Sequence, residues 1–188
     1  SSDVNSLHGT HIVPTRDLAS VSSVEDGDYE LLALYGFSAR YPKSARLEFN
    51  PKSRREKGDL VLHLEGFKIF VSWGGLDEAR KRYSTVAAHA SGSIERSLKG
   101  SGARLDGTPE TRSLNIQGHD AVYTHATMLI ERGGFPFGKR RVTQDTFSMH
   151  VHCEESGRYY VVYAFARPQV SEELGKAFEP IMVSLKCH

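Results

Sequence analysis

Asp59-Leu60-Val61-Leu62-His63-Leu64-Glu65-Gly66-Phe67-Lys68-Ile69-Phe70-Val71-Ser72-Trp73 is the stretch whose reading decides the fold. Leu60, Leu62 and Leu64 recur every second residue, Glu65-Gly66 offers a turn, and Phe67, Ile69, Val71 and Trp73 recur every second residue again. A period of two on both sides of a glycine turn predicts a β-hairpin with one buried face. Gly74-Gly75 closes it.

Towards the N-terminus, Tyr35, Phe37, Ala39 and Tyr41 alternate and end at Pro42, a second strand signal. Glu30 to Leu34 reads as a helical turn or as the first edge of the sheet. Residues 43–58 read as a short strand around Leu47 and Phe49, then a solvated basic turn with Lys52, Arg54, Arg55 and Lys57. Residues 1–26 carry few apolar positions and are expected to form a flexible arm ahead of one domain, 27–188.

Beyond the hairpin the period changes. Leu76, Ala79, Tyr83, Val86, Ala87, Ala90, Ile94 and Leu98 recur at three and four, which predicts one amphipathic helix over 76–98, stopped by Gly100 and Gly102. Thr111 to Gln117, Ala121 to Glu131, Val142 to Cys153 and Arg158 to Arg167 then read as strands. Ser171, Glu172 and Glu173 open a last helix whose stripe is Leu174, Phe178, Ile181, Met182 and Leu185. Short turns between most strands predict a mainly antiparallel sheet, and two amphipathic helices must flank it in an α+β fold.

Composition excludes several classes. The chain has 188 residues, 39% hydrophobic and 25% charged, which is ordinary globular usage. A net charge of +1 gives no global field towards nucleic acid or anionic membrane. No apolar run approaches the roughly 20 residues of a membrane span. Ser1 to Ser23 lacks an apolar core segment, so no signal peptide is expected, and a soluble, cytoplasmic chain is favoured.

The segment Tyr35-Gly36-Phe37-Ser38-Ala39-Arg40-Tyr41-Pro42, the turn at Gly118, and the ending Phe178-Glu179-Pro180-Ile181-Met182-Val183-Ser184-Leu185-Lys186 resemble the PsbP-like superfamily over about residues 35–186. That group takes in the photosystem II extrinsic protein and the Ran-binding Mog-type proteins. The resemblance implies an α/β/α sandwich with a central antiparallel sheet, and a binding or assembly factor without a shared catalytic constellation. No motif here transfers Ran or photosystem binding.

Three clusters could carry function. The loop Glu131-Arg132-Gly133-Gly134-Phe135-Pro136-Phe137-Gly138-Lys139-Arg140-Arg141 is read as a long hairpin tip. Its Arg132, Phe135, Phe137, Lys139, Arg140 and Arg141 combine aromatics with cations, which suits a protein partner and would also serve nucleic acid or an anionic surface. The bland alternative folds both phenylalanines back onto the protein. Second, His150 and His152 share a strand face, and His125 is expected beside them across a hairpin. Three imidazoles could hold a divalent metal, with His63 or Glu154 as fourth ligand. The alternative is a polar sheet face dotted with histidines, with no cofactor. Third, Cys153 and Cys187 are either free buried thiols or a bridge pinning the last helix to the sheet.

No catalytic constellation emerges. Ser38, Ser72 and Ser148 lack a nucleophile elbow, and Gly100-Ser101-Gly102 lacks the Lys-Ser/Thr of a phosphate loop. The preferred function is a non-enzymatic binding or assembly protein using the hairpin or a sheet edge. A metal protein built on the histidines, or a small-ligand binder between sheet and helix near Tyr123, Tyr159, Tyr160, Tyr163 and Phe165, is the alternative.

Overall fold

In Phe67–Gly75 every second side chain is buried, from Phe67 through Ile69 and Val71 to Trp73. The antiparallel neighbour Arg158–Ala166 sets Tyr160 opposite Trp73, Val162 opposite Val71 and Ala164 opposite Ile69, so both strands bury the same face. The computed structural model describes residues 28–188; the arm expected over 1–26 lies outside the described residues.

The strands, in chain order, are β1 (Tyr29–Leu34), β2 (Phe37–Pro42), β3 (Arg46–Phe49), β4 (Gly58–Leu64), β5 (Phe67–Gly75), β6 (Arg104–Leu105), β7 (Glu110–Ile116), β8 (His119–Gly134), β9 (Gly138–Cys153) and β10 (Arg158–Ala166). The helices are α1 (Leu76–Arg82), α2 (Val86–Ser101) and α3 (Ser171–Ser184). Eight strands form the main sheet in the order β3-β4-β5-β10-β9-β8-β6, with β7 also on β8. All its pairs are antiparallel.

The β1–β2 hairpin stands apart as its own two-stranded sheet. Tyr35 and Gly36 form its turn at positive φ rather than extending β2, and Glu30–Leu34 joins β2 instead of edging the main sheet. The hairpin and α3 cover one sheet face. Leu32, Phe37, Ala39 and Tyr41 from the hairpin and Leu174, Phe178, Ile181 and Met182 from α3 enclose Trp73, Tyr160, Phe147 and Met149. Each large side chain buried in this layer contributes about 1.5–3 kcal/mol. Ser38 and Lys186 exchange backbone hydrogen bonds at 2.9 and 2.8 Å, tying hairpin to chain end.

The opposite face is covered by α1 and α2, which corrects the expectation of one helix over 76–98. Tyr83 leaves helical geometry, and Thr85 restarts the helix by accepting the Ala88 N–H at 3.1 Å. The apolar period runs through this break, so periodicity alone hides it. Gly92 then lets α2 close over Tyr83: a Cβ there would lie 2.2 Å from the Tyr83 ring. Helix α2 ends at Gly102, in the left-handed region.

Candidate functional site

The face under α2 is polar along β9. Alternation that buries Phe147, Met149 and Val151 on the α3 side sends Ser148, His150 and His152 towards α2. Between sheet and helix lies a cavity of about 440 Å³, walled by His89, Ser93 and Arg96 of α2 and by His150, Tyr159 and Tyr163 of the sheet, among others.

His89 Nδ1 and His152 Nε2 share a hydrogen bond at 3.1 Å. The His89 ring stacks on Tyr83 and meets His150 edge-on, with centroids 5.1 and 4.8 Å apart. Ser93 Oγ donates to the His89 carbonyl at 3.0 Å and lies 3.1 Å from His150 Nε2. His150 Nδ1, the other ring nitrogen, is buried with no partner.

All three imidazoles resist protonation. Burial, then His89, His152 and Arg96, pushes His150 down to about 3. Burial, then His152 and Arg96, pushes His89 down to about 4. Burial and the Arg80 guanidinium also lower His152. The cavity is therefore lined by neutral imidazoles rather than by charged ones.

His125 does not join them, which corrects the three-histidine grouping. In the β8–β9 ladder His125 stands opposite Phe147, whereas His150 stands opposite Val122. Cross-strand partners share a face, so His125 lies on the α3 side, stacked on Phe147 at 4.5 Å. There its Nε2 is 3.2 Å from Asp145, which Thr127 and Ser171 also serve. Burial would raise the Asp145 carboxyl, but the hydrogen bonds from His125, Ser171 and Thr127 hold it below its usual value. The suggested fourth ligands are engaged elsewhere: His63 with Glu48, Glu154 with Arg80 at 2.5 Å.

The basic-aromatic segment is mostly ladder rather than loop. Pairing runs to Gly134 opposite Gly138, leaving Phe135, cis-bonded Pro136 and Phe137 as the tip. Phe135 and Phe137 are 102% and 93% exposed, so neither folds back. Arg132, Lys139, Arg140 and Arg141 are exposed around them. Glu131 lies 3.8 Å from both Lys139 and Arg141, two of these four cations.

Cys153 and Cys187 are joined by a disulfide that fastens the chain end to β9. Beside it the buried Arg158, which sequence patterning gave no reason to single out, donates to four carbonyls. These are Tyr35 at 2.5 Å, Arg55 at 2.9 Å, Gly36 at 3.0 Å and Cys187 at 3.2 Å.

No family model and no curated protein matches the sequence. The fold does match solved structures. The cyanobacterial PsbP protein CyanoP of Synechocystis superposes with a TM-score of 0.61 at 10% identity, covering 88% of this chain and 96% of that one. The Ran-binding protein Mog1p of Saccharomyces cerevisiae gives 0.50 at 7% identity, covering 85% and 95%. The chain therefore has a PsbP-like fold, and at such identities the likeness carries no residue role across. Among the described residues, no helix is long and apolar enough to cross a membrane.

Proposed function

We propose that this chain is a non-enzymatic binding protein that docks a protein partner on the β8–β9 hairpin tip. The observation that carries the reading is the near-complete exposure of Phe135 and Phe137 at the end of a two-stranded ladder. Two exposed aromatics on one tip offer anchors for a pocket, and Arg132, Lys139, Arg140 and Arg141 add positive charge around them. The partner that fits offers an apolar pocket bordered by carboxylates. The sheet edges are β3, with four residues, on one side and β6 and β7, with two and seven, on the other.

The test is capture from the native source, followed by mass spectrometry, with Phe135→Ala/Phe137→Ala as the paired control. The expected result is an acidic protein retained by the natural chain, lost with the double variant, and weakened by added salt. Equal retention by both chains removes the hairpin from the reading. Retention of nucleic acid or anionic vesicles alone moves the partner to another class.

A second reading is favoured by the cavity of about 440 Å³ between α2 and the sheet, lined by His89 and His150, whose imidazoles burial holds neutral. The α2 cavity would hold a small molecule with an aromatic or apolar body and one hydroxyl or N–H donor. Thermal-shift screening against such compounds, with His150→Leu as control, tests it. Shifts that survive the substitution exclude His150 from binding.

A further inference from the structure

Beside the disulfide, two histidines converge on the same pair of sulfurs. His119 opens β8, Cys153 ends β9, and Cys187 and His188 follow α3. One ligand atom from each lies within 4.8 Å of the others. His119 Nε2 is 3.9 Å from Cys153 Sγ, and His188 Nδ1 is 3.9 Å from Cys153 Sγ and 3.6 Å from Cys187 Sγ. We propose that these four residues form a redox-gated zinc site, a disulfide in the oxidised chain and a Cys2His2 tetrahedron in the reduced one.

Distances fit the second state. Zinc–sulfur bonds of about 2.3 Å and zinc–nitrogen bonds of about 2.0–2.1 Å at tetrahedral angles put sulfur and nitrogen about 3.6 Å apart. Three of the four sulfur–nitrogen distances, 3.6–3.9 Å, already stand near that separation, and the sulfurs must part once their bond is broken. The surroundings fit as well. His188 turns Nδ1 to the sulfurs and Nε2 to Glu155 Oε2 at 2.8 Å. A carboxylate on the far ring nitrogen is the usual way a metal-binding imidazole is oriented. Cys153, Cys187 and His119 are buried, and two thiolates with two neutral imidazoles would leave a zinc ion with no net charge to bury.

The chemistry balances with a dithiol as reductant. Two electrons and two protons pass from the dithiol, which becomes a disulfide, to the Cys153–Cys187 bond, giving two thiols. Zinc then displaces the two thiol protons into solvent. Either state fastens the segment after α3 to β9, so the chain end stays anchored as the redox state changes.

The test uses untagged chain reduced with a phosphine under anaerobic conditions and titrated with cobalt(II). Expected are one equivalent bound, thiolate-to-cobalt charge-transfer absorption with tetrahedral d–d bands, bleaching by zinc, and protection of both thiols from alkylation. The oxidised chain should show none of these. Glu155→Gln should weaken the metal by about 10–100-fold, and His188→Ala by at least as much. Both replace exposed side chains, so they report on the site even if Cys153→Ser fails to fold. A reduced chain that shows no charge-transfer band, or whose affinity is unmoved by His188→Ala, overturns the site.

Discussion

Arg132 and Arg140 stand directly opposite each other in the β8–β9 ladder, both exposed and on one face of the hairpin. Like charges in that position oppose pairing. Arg132→Glu replaces the repulsion with an ion pair and should stabilise the fold by about 0.2–1 kcal/mol. The same change should weaken capture of an acidic partner. Thermal melts and capture read on one variant separate the two effects, and a variant that captures as well as the natural chain counts against a docking role for this face.

Arg158 should be among the costliest side chains to remove. It is 4% exposed, and its guanidinium holds carbonyls from the β1–β2 turn, the loop at Arg55 and the chain end. Arg158→Met keeps much of the volume but orphans those acceptors, and stability should fall by about 3 kcal/mol or more. Chemical denaturation measures it. A loss under about 1 kcal/mol would mean that water replaces the arginine freely.

Stability should decline as solutions are acidified, in two stages. His150 is held down to about 3 and His89 to about 4, both below their unfolded value of about 6.5. Between about pH 6.5 and 4 the unfolded chain therefore binds protons that the folded chain refuses. Each such histidine contributes a slope of up to about 1.4 kcal/mol per pH unit, with stability falling as pH falls. Arg96, Arg80 and His152 around them act in the same sense, while Glu154 opposes at His152. Asp145 adds the lower stage: its contribution is present above its unfolded value of about 3.9 and is lost as pH falls through its lowered folded value. Denaturation midpoints across pH for the natural chain and His150→Leu test this, and an upper slope unchanged in the variant would refute the His150 share.

Gly92→Ala should fail to stabilise α2 although alanine is the better helix former by about 1 kcal/mol. The added Cβ displaces the Tyr83 ring, which stacks on His89. In a Tyr83→Ala background the obstacle is gone, and the same substitution should become favourable. A double-mutant cycle reads the coupling, and additivity would show that the ring moves aside at no cost.

Strand period and turn residues made the sheet legible, because alternation is local. What depended on pairing between distant segments was less so. His125 and His150 sit in neighbouring strands, but one odd and one even residue cannot share a face when Ala121 stands opposite Val151. The hairpin cations and aromatics were visible as residues; their exposure follows from a ladder that leaves only three residues at the tip. His89 could not be placed over His152 before α2 was known to restart at Thr85, a cap signal that the continuous apolar stripe obscured. Nor could His119 and His188 be joined to the cysteines, since β8, β9 and the segment after α3 meet only in three dimensions.

The contrast between the two sheet faces has an evolutionary consequence. Along β10, Tyr160, Val162 and Ala164 are fully enclosed, while Tyr159, Val161 and Tyr163 between them are half-buried beside the α2 cavity. Adjacent codons are thus under different constraint: one set is held by core packing, the next by looser contacts around the cavity. Lineages carrying this scaffold can diversify the cavity wall residue by residue without renegotiating the core, and a library randomised only at the alternate positions should remain largely folded.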